Sequence, residues 1–310
     1  MTLLLMMAWT AIIVDAGDLA MTALGRVAVY GRMIKFSHSI FALPFALASA
    51  SLAARDGFRW SQVGWIVLAM VGARSAAMGF NRLADEAIDA RNPRTASREL
   101  PRGALRRSDV WAFVLVSAGL LVVAAARLNP LCLALSPLAL AIAFGYSYTK
   151  RFTALSHLVL GLALAVAPVG AWLAIRGRFA PEPLVLGLAV LVWVAGFDTI
   201  YACQDADFDR RSGLHSLPAR FGVARALLLA RLFHVFAVLL LLALYALTPL
   251  HPVYLVGVFA VAALLLYEHS LVRANDLSRV DVAFFTLNGW ISVGYFASTL
   301  LAVWLVSRKL

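Results

Sequence analysis

Long apolar stretches separated by short, arginine-rich connections dominate the chain. Nine runs lie at roughly 36–54, 61–82, 110–127, 131–148, 157–175, 184–204, 226–247, 252–270 and 282–306. Each is about as long as the 17–25 residues a helix needs to cross a bilayer. The pattern predicts an all-α integral membrane protein with about nine transmembrane helices in one bundle, spanning residues 26–310. The segment 1–25 is an N-terminal extension. Its first fourteen residues, Met1 to Val14, are apolar but too short to span and lack a basic flank, which argues against a signal peptide. A surface-lying helix and an upstream start codon both stand as alternatives.

Composition agrees: of 310 residues, 63% are hydrophobic and only 14% charged, far from the balance of a water-soluble domain. The net charge of +11 changes the picture only through its placement. Nineteen of the 27 Lys and Arg residues fall on one side of the predicted topology and seven on the other, with Arg74 alone inside a span. By the positive-inside rule the richer side is cytoplasmic, which puts the chain in a plasma (cell inner) membrane with its N-terminus inside. Anionic lipid headgroups suffice as partners for such charge, so no nucleic acid is implied, nor any obligate protein partner. Cys132 and Cys203 lie inside apolar runs and provide no disulfide framework. The histidines show no metal-ligand spacing.

Acidic residues are few, and they gather. Asn81, Asp85 and Asp89 stand four apart and share one helix face. Asp198, Tyr201, Asp205 and Asp209 follow a three, four, four spacing on another. Asn81, Asp85 and Asp89 recur as Tyr201, Asp205 and Asp209 at a displacement of 120 residues, both sets ending a span that runs the same way. This predicts two parallel four-helix repeats plus a ninth helix. Carboxylates four apart repel one another in a helix, so a doubled set implies a bound cation or a water-lined face. Oxygen-only donors suit Mg²⁺. Arg82, Arg91, Arg94, Arg98, Lys150, Arg151, Arg210 and Arg211 lie close in sequence, and carboxylates, Mg²⁺ and guanidinium together make a clamp for a diphosphate. A cation-coupled transporter using the same carboxylates is the alternative from another class.

The run from Asn81 to Asp89 with Asn92-Pro93-Arg94-Thr95 and Arg98 resembles the first motif of the UbiA prenyltransferase superfamily. The run Asp198–Asp209 is similar to the second motif, and Tyr146-Ser147-Tyr148-Thr149-Lys150-Arg151 to its basic motif at the end of the fourth helix. His215 departs from the pattern, since many relatives carry lysine there. The resemblance implies a cavity open to the cytoplasmic face, in which Asn81, Asp85, Asp89, Asp198, Asp205 and Asp209 hold Mg²⁺ on a polyprenyl diphosphate. Lys150, Arg94 and Arg98 would stabilise the leaving diphosphate, with Arg151, Tyr146 and Tyr201 at the substrate. Phe144, Tyr146 and Tyr148 stand either as π-density near an allylic cation or as ordinary packing. Arg74, seven residues before Asn81 and about 10 Å deeper, is matched in relatives that prenylate 4-hydroxybenzoate. It either binds the carboxylate of an aromatic acid or pairs with Glu268 or one of the aspartates. Lys35 and His38 either reach the headgroup or snorkel. The expected reaction is transfer of a polyprenyl chain to an aromatic acid of the 4-hydroxybenzoate type in ubiquinone or menaquinone biosynthesis. A futalosine-derived or dihydroxynaphthoate acceptor is the alternative.

Overall fold

The computed structural model describes residues 29–34, 41–54, 57 and 59–308. Among them are eight helices long and apolar enough to cross a membrane, one shorter apolar helix, and no strand. The short helix is α1 (Leu43–Ala53). It corresponds to the first apolar run, of which residues 36–40 lie outside the described set, as do the extension 1–25, Lys35 and His38. Then follow α2 (Trp60–Asp89), α3 (Arg107–Leu128), α4 (Pro130–Thr149), α5 (Ser156–Arg176) and α6 (Pro181–Ala202). A 3₁₀ turn (Cys203–Asp205) joins α6 to α7 (Ala206–Arg211), and a short α8 (Leu217–Phe221) precedes α9 (Val223–Leu247), α10 (Val253–Leu271) and α11 (Asn288–Ser307).

Local chemistry explains the boundaries. Proline opens α4 and α6 at positions where a missing N–H costs nothing. The Asn129 side chain caps α4 by accepting the Cys132 N–H at 2.9 Å, and α5 stops at Gly177, whose φ of 65° favours glycine. Two helices outrun their apolar stretches. α2 continues for seven residues beyond the predicted end at 82, and the α6 rod reaches Arg211 instead of 204. Both extensions carry the acidic motifs into the polar boundary.

α6 is the axis of the bundle, with 67% of its apolar window buried, against 39% or less for every other crossing helix. It packs on α5 and α9, while α1 bridges α5 and α11, and α2 packs chiefly on α3. Within lipid, close packing rather than the hydrophobic effect holds helices together, so small residues mark the tightest crossings. A Cβ on Gly161 would stand 2.1 Å from the Leu191 carbonyl oxygen, and one on Gly72 would stand 2.8 Å from the α3 backbone. Many large apolar side chains, such as Leu115, Val116, Phe259 and Leu266, are exposed on the outer faces, where a bilayer would meet them.

Candidate active site

The polar ends of α2 and α6–α7 face each other across a cavity of about 250 Å³. Its wall includes Asn81, Asp85, Asp89, Asp198, Asp205 and Asp209 together, so the two motifs predicted from sequence form one site. Arg74, Arg94, Arg98, Tyr146, Lys150, Arg151 and Tyr201 line the same cavity. Towards its mouth, Arg82, Arg94, Arg98 and Tyr201 are shared with a second basin of about 370 Å³, which Arg32 also lines.

Nearly every carboxylate has a basic partner. Arg98 holds Asp89 at 2.6 and 2.7 Å, and Thr95 Oγ1 donates to the Asp89 backbone carbonyl. Arg94 forks onto Asp205 through Nε, at 2.9 Å, and through Nη2, while its Nη1 donates to the Tyr201 hydroxyl at 2.9 Å. Its guanidinium also lies 5.0 Å from the Tyr201 ring centroid. Burial by itself pulls the Arg94 guanidinium down, but the hydrogen bonds and charge of Asp205 outweigh it and raise its pKa above the ordinary value. Lys150 reaches Asp209, which is only 2% exposed, at 3.2 Å. Asp85 accepts from Asn81 at 2.8 Å, with Arg151 at 3.5 Å.

Asp198 differs. Its partner is His157, fully buried at the start of α5, with Nδ1 2.7 Å from the carboxylate. The Leu217 backbone N–H donates to Nε2 of that ring at 3.3 Å, which leaves Nδ1 as the nitrogen that donates to Asp198. Arg74 stands deeper in the cavity. Its Nε is buried without a hydrogen-bond partner, and among the described residues it forms no ion pair with Glu268 or with any aspartate. The structural pairing weighed for it is therefore absent among the described residues, and the protein leaves its Nε unmet.

One expectation needs correction. The second motif does not ride on one unbroken helix, because the 3₁₀ turn at Cys203–Asp205 tightens the rod between Tyr201 and Asp209. The tighter turn winds about 20° more per residue than α-helix, so Asp205 departs from the ideal face and meets Arg94 and Asn92. Of the three aromatic candidates on α4, only Tyr146 lines the cavity. Phe144 stacks on Phe80 at 4.4 Å, and Tyr148, 41% exposed, meets Phe80 edge-on at 5.9 Å beneath Arg151, so neither is on the cavity wall.

Sequence reasoning passed over Asn92, whose Nδ2 donates to Asp205 at 3.1 Å, and Ser147, 3.4 Å from Asn81 Nδ2. It also passed over His157 and Phe284. Asn92 and Ser147 lie inside quoted motifs and were within reach, whereas His157 and Phe284 lie in apolar runs with no local signal. His215, where the family pattern breaks, donates its backbone N–H to the Lys150 carbonyl at 2.7 Å and so ties the two basic loops together.

Among the described residues, no three Asp, Glu, His or Cys side chains converge closely enough to hold a metal ion by themselves. The donor set nonetheless fits Mg²⁺, which is bound through one or two carboxylates and completes its octahedron with water and phosphate oxygens. Six oxygen-bearing side chains on opposite walls, among basic groups, suit a metal shared with a diphosphate.

Residues 42–306 match the UbiA prenyltransferase family. The chain is 32% identical over 246 residues to the 4-hydroxybenzoate octaprenyltransferase of Vibrio cholerae serotype O1, covering 77% of this chain and 83% of that protein. It is 33% identical over 229 residues to the enzyme of the same name from Tolumonas auensis, covering 74% and 79%. The apo structure of a UbiA homolog from Aeropyrum pernix K1 superposes with a TM-score of 0.78 at 36% identity, over 88% of this chain and 98% of that one. The structure of a UbiA homolog from Archaeoglobus fulgidus bound to GPP and Mg²⁺ shares the fold, with a TM-score of 0.72 at 20% identity, over 89% and 99%. With the matched family spanning all but the ends, and both acidic motifs facing one cavity, this integral membrane protein belongs to the UbiA prenyltransferase family.

Proposed function

We propose that the chain transfers a polyprenyl group from its diphosphate to a ring carbon of 4-hydroxybenzoate, in a Mg²⁺-dependent reaction at the cytoplasmic face of the inner membrane. The observation that carries this reading is the division of the cavity. One end gathers six oxygen donors interleaved with Arg94, Arg98, Lys150 and Arg151; the other is apolar, with Arg74 reaching into it. A diphosphate head suits the first end, its hydrocarbon tail suits the second and the lipid beyond, and Arg74 suits a small acid. The 4-hydroxybenzoate octaprenyltransferases among its relatives support the acceptor. The charge bias of nineteen to seven supports the orientation.

Asn81, Asp85 and Asp89 on one wall, and Asp198, Asp205 and Asp209 on the other, would hold Mg²⁺, which as a Lewis acid polarises the diphosphate oxygens. The remaining work falls to this chain's own groups. Arg94, Arg98 and Lys150 now neutralise carboxylates, and an arriving diphosphate competes for the same cations. As the allylic C–O bond breaks, its electron pair leaves with the diphosphate, and these fixed charges stabilise the growing anion. Phe41, Phe197, Leu160, Leu164 and Val194 keep water from the allylic cation until the ring attacks. The ring then returns its proton to solvent or to a cavity carboxylate and regains aromaticity. Arg74 orients the acid by a charge-assisted pair with the substrate carboxylate.

The test supplies purified protein in nanodiscs with geranyl diphosphate and Mg²⁺, plus 4-hydroxybenzoate, a dihydroxynaphthoate or a futalosine-derived acid, and reads the products by mass spectrometry. Prenylated 4-hydroxybenzoate is expected. Arg74→Met is expected to raise the KM for the acid about tenfold or more, the loss of one charged hydrogen-bonding partner, with little change in the KM for the donor. A product only from another acceptor would reassign the substrate, and an unchanged KM in Arg74→Met would remove Arg74 from acid binding.

A further inference from the structure

The stretch leading into α11, Val282–Leu287, winds as a π-helix, a wide turn that is rare and frequently marks functional sites. Wide turns serve their carbonyls poorly, and here one side chain repairs them. Asn288 Nδ2 donates to the backbone oxygens of Ala283 at 3.0 Å and Phe284 at 3.1 Å, and approaches Glu268 Oε1 on α10 at 3.4 Å. Asn288 and Glu268 are both 0% exposed. Glu268 Oε2 and Asn288 Oδ1 are buried without a partner, so the pair is costly to keep inside a bundle.

The turn determines where one ring goes. Phe284 lies on the cavity wall with its ring 4.2 Å from that of Tyr201, at an interplanar angle of 30°. Phe197 and Phe41 meet it nearly edge-on, at 5.4 and 5.5 Å. Tyr201 in turn takes Arg94 on its hydroxyl and its ring. Phe284 therefore stands where the apolar wall meets the charged mouth. Unwinding the π turn to ordinary helix would slip the register by one residue, about 100°, and swing this ring off the wall.

We propose that Phe284 is a specificity-determining residue facing the first isoprene unit of the allylic diphosphate, with Asn288 as its positioning residue. The proposal rests on the transfer reading above. The ring seals the site where the diphosphate's C1–O bond breaks. When the seal is lost, water donates a lone pair to C1 and gives up a proton to solvent, so the donor leaves as a prenol and not as prenylated acid.

The experiment measures the ratio of prenylated 4-hydroxybenzoate to geraniol formed from geranyl diphosphate by the full chain in nanodiscs, for Phe284→Leu, Asn288→Leu and Glu268→Gln. Phe284→Leu and Asn288→Leu are expected to lower the ratio about tenfold, while Glu268→Gln, which keeps an acceptor for Asn288, stays within about twofold of the parent. Both products falling in parallel at an unchanged ratio in Phe284→Leu would overturn the proposal, because a purely structural role moves them together. Should the parent make no prenylated acid, the transfer reading fails by itself. The wall is then tested by calorimetric binding of geranyl thiodiphosphate, expected to be about tenfold weaker in Phe284→Leu and equal to the parent if the proposal is wrong.

Discussion

Arg94 leaves the loop after α2, in the first half of the chain, and its guanidinium closes on Asp205 and Tyr201 in the second. A fork-shaped cation between two halves neutralises a carboxylate, and under the proposed function it would also face the leaving diphosphate. Arg94→Met is expected to lower kcat/KM by about a hundredfold, as the loss of one preorganised charge at a developing anion does. Arg94→Lys should recover only part of it, because an ammonium cannot span both oxygens and the tyrosine. Steady-state kinetics with varied donor checks both variants, and full activity in Arg94→Met would place the leaving-group charge elsewhere. At this scale the carboxylates were legible, since a four-residue spacing repeated 120 positions later is a local pattern met twice. His157 was not. Its bond to Asp198 spans 41 residues and depends on how α5 lies against α6, which no periodicity encodes.

Helix ends proved harder to read than helix existence. Every apolar run predicted from sequence has its helix, but hydropathy falls where α2 and α6 turn polar, while their backbone hydrogen bonding continues into the motifs. The 3₁₀ turn at Cys203–Asp205 and the π turn at Val282–Leu287 left no trace in hydropathy, because both are imposed by packing and side-chain hydrogen bonds. Packing between elements also yields a sharp contrast on a single helix. Gly161 on α5 has the α6 backbone in the place of any side chain, whereas nothing lies within 4 Å of a Cβ built on Gly170. Gly161→Ala is expected to destabilise the protein by about 1–3 kcal/mol through overpacking, and Gly170→Ala to leave it unchanged or slightly stabilised. Thermal unfolding in detergent separates the two. Equal melting temperatures would mean that α5 and α6 are not held so closely.

Nineteen of the 27 Lys and Arg residues fall on one side of the predicted topology, and the cavity mouth opens among arginines of that group, Arg32, Arg82, Arg94 and Arg98. If that face is cytoplasmic, a cysteine at Ser97, in the loop after α2, should react with a membrane-impermeant maleimide in inverted vesicles and not in intact cells. One at Arg178, between α5 and α6, should do the reverse. The opposite labelling would invert the topology. The parallel repeat also acts at this scale: Asn81, Asp85 and Asp89 come from one half and Asp198, Asp205 and Asp209 from the other, and under the proposed function neither half completes the site alone. Donor binding tests that shared site most directly. Calorimetry with geranyl thiodiphosphate should show binding only when Mg²⁺ is present, and Asp85→Ala and Asp205→Ala should each abolish it despite lying on different halves. Undiminished binding in either variant, or binding indifferent to EDTA, would contradict a single metal-bridged diphosphate site built from both motifs.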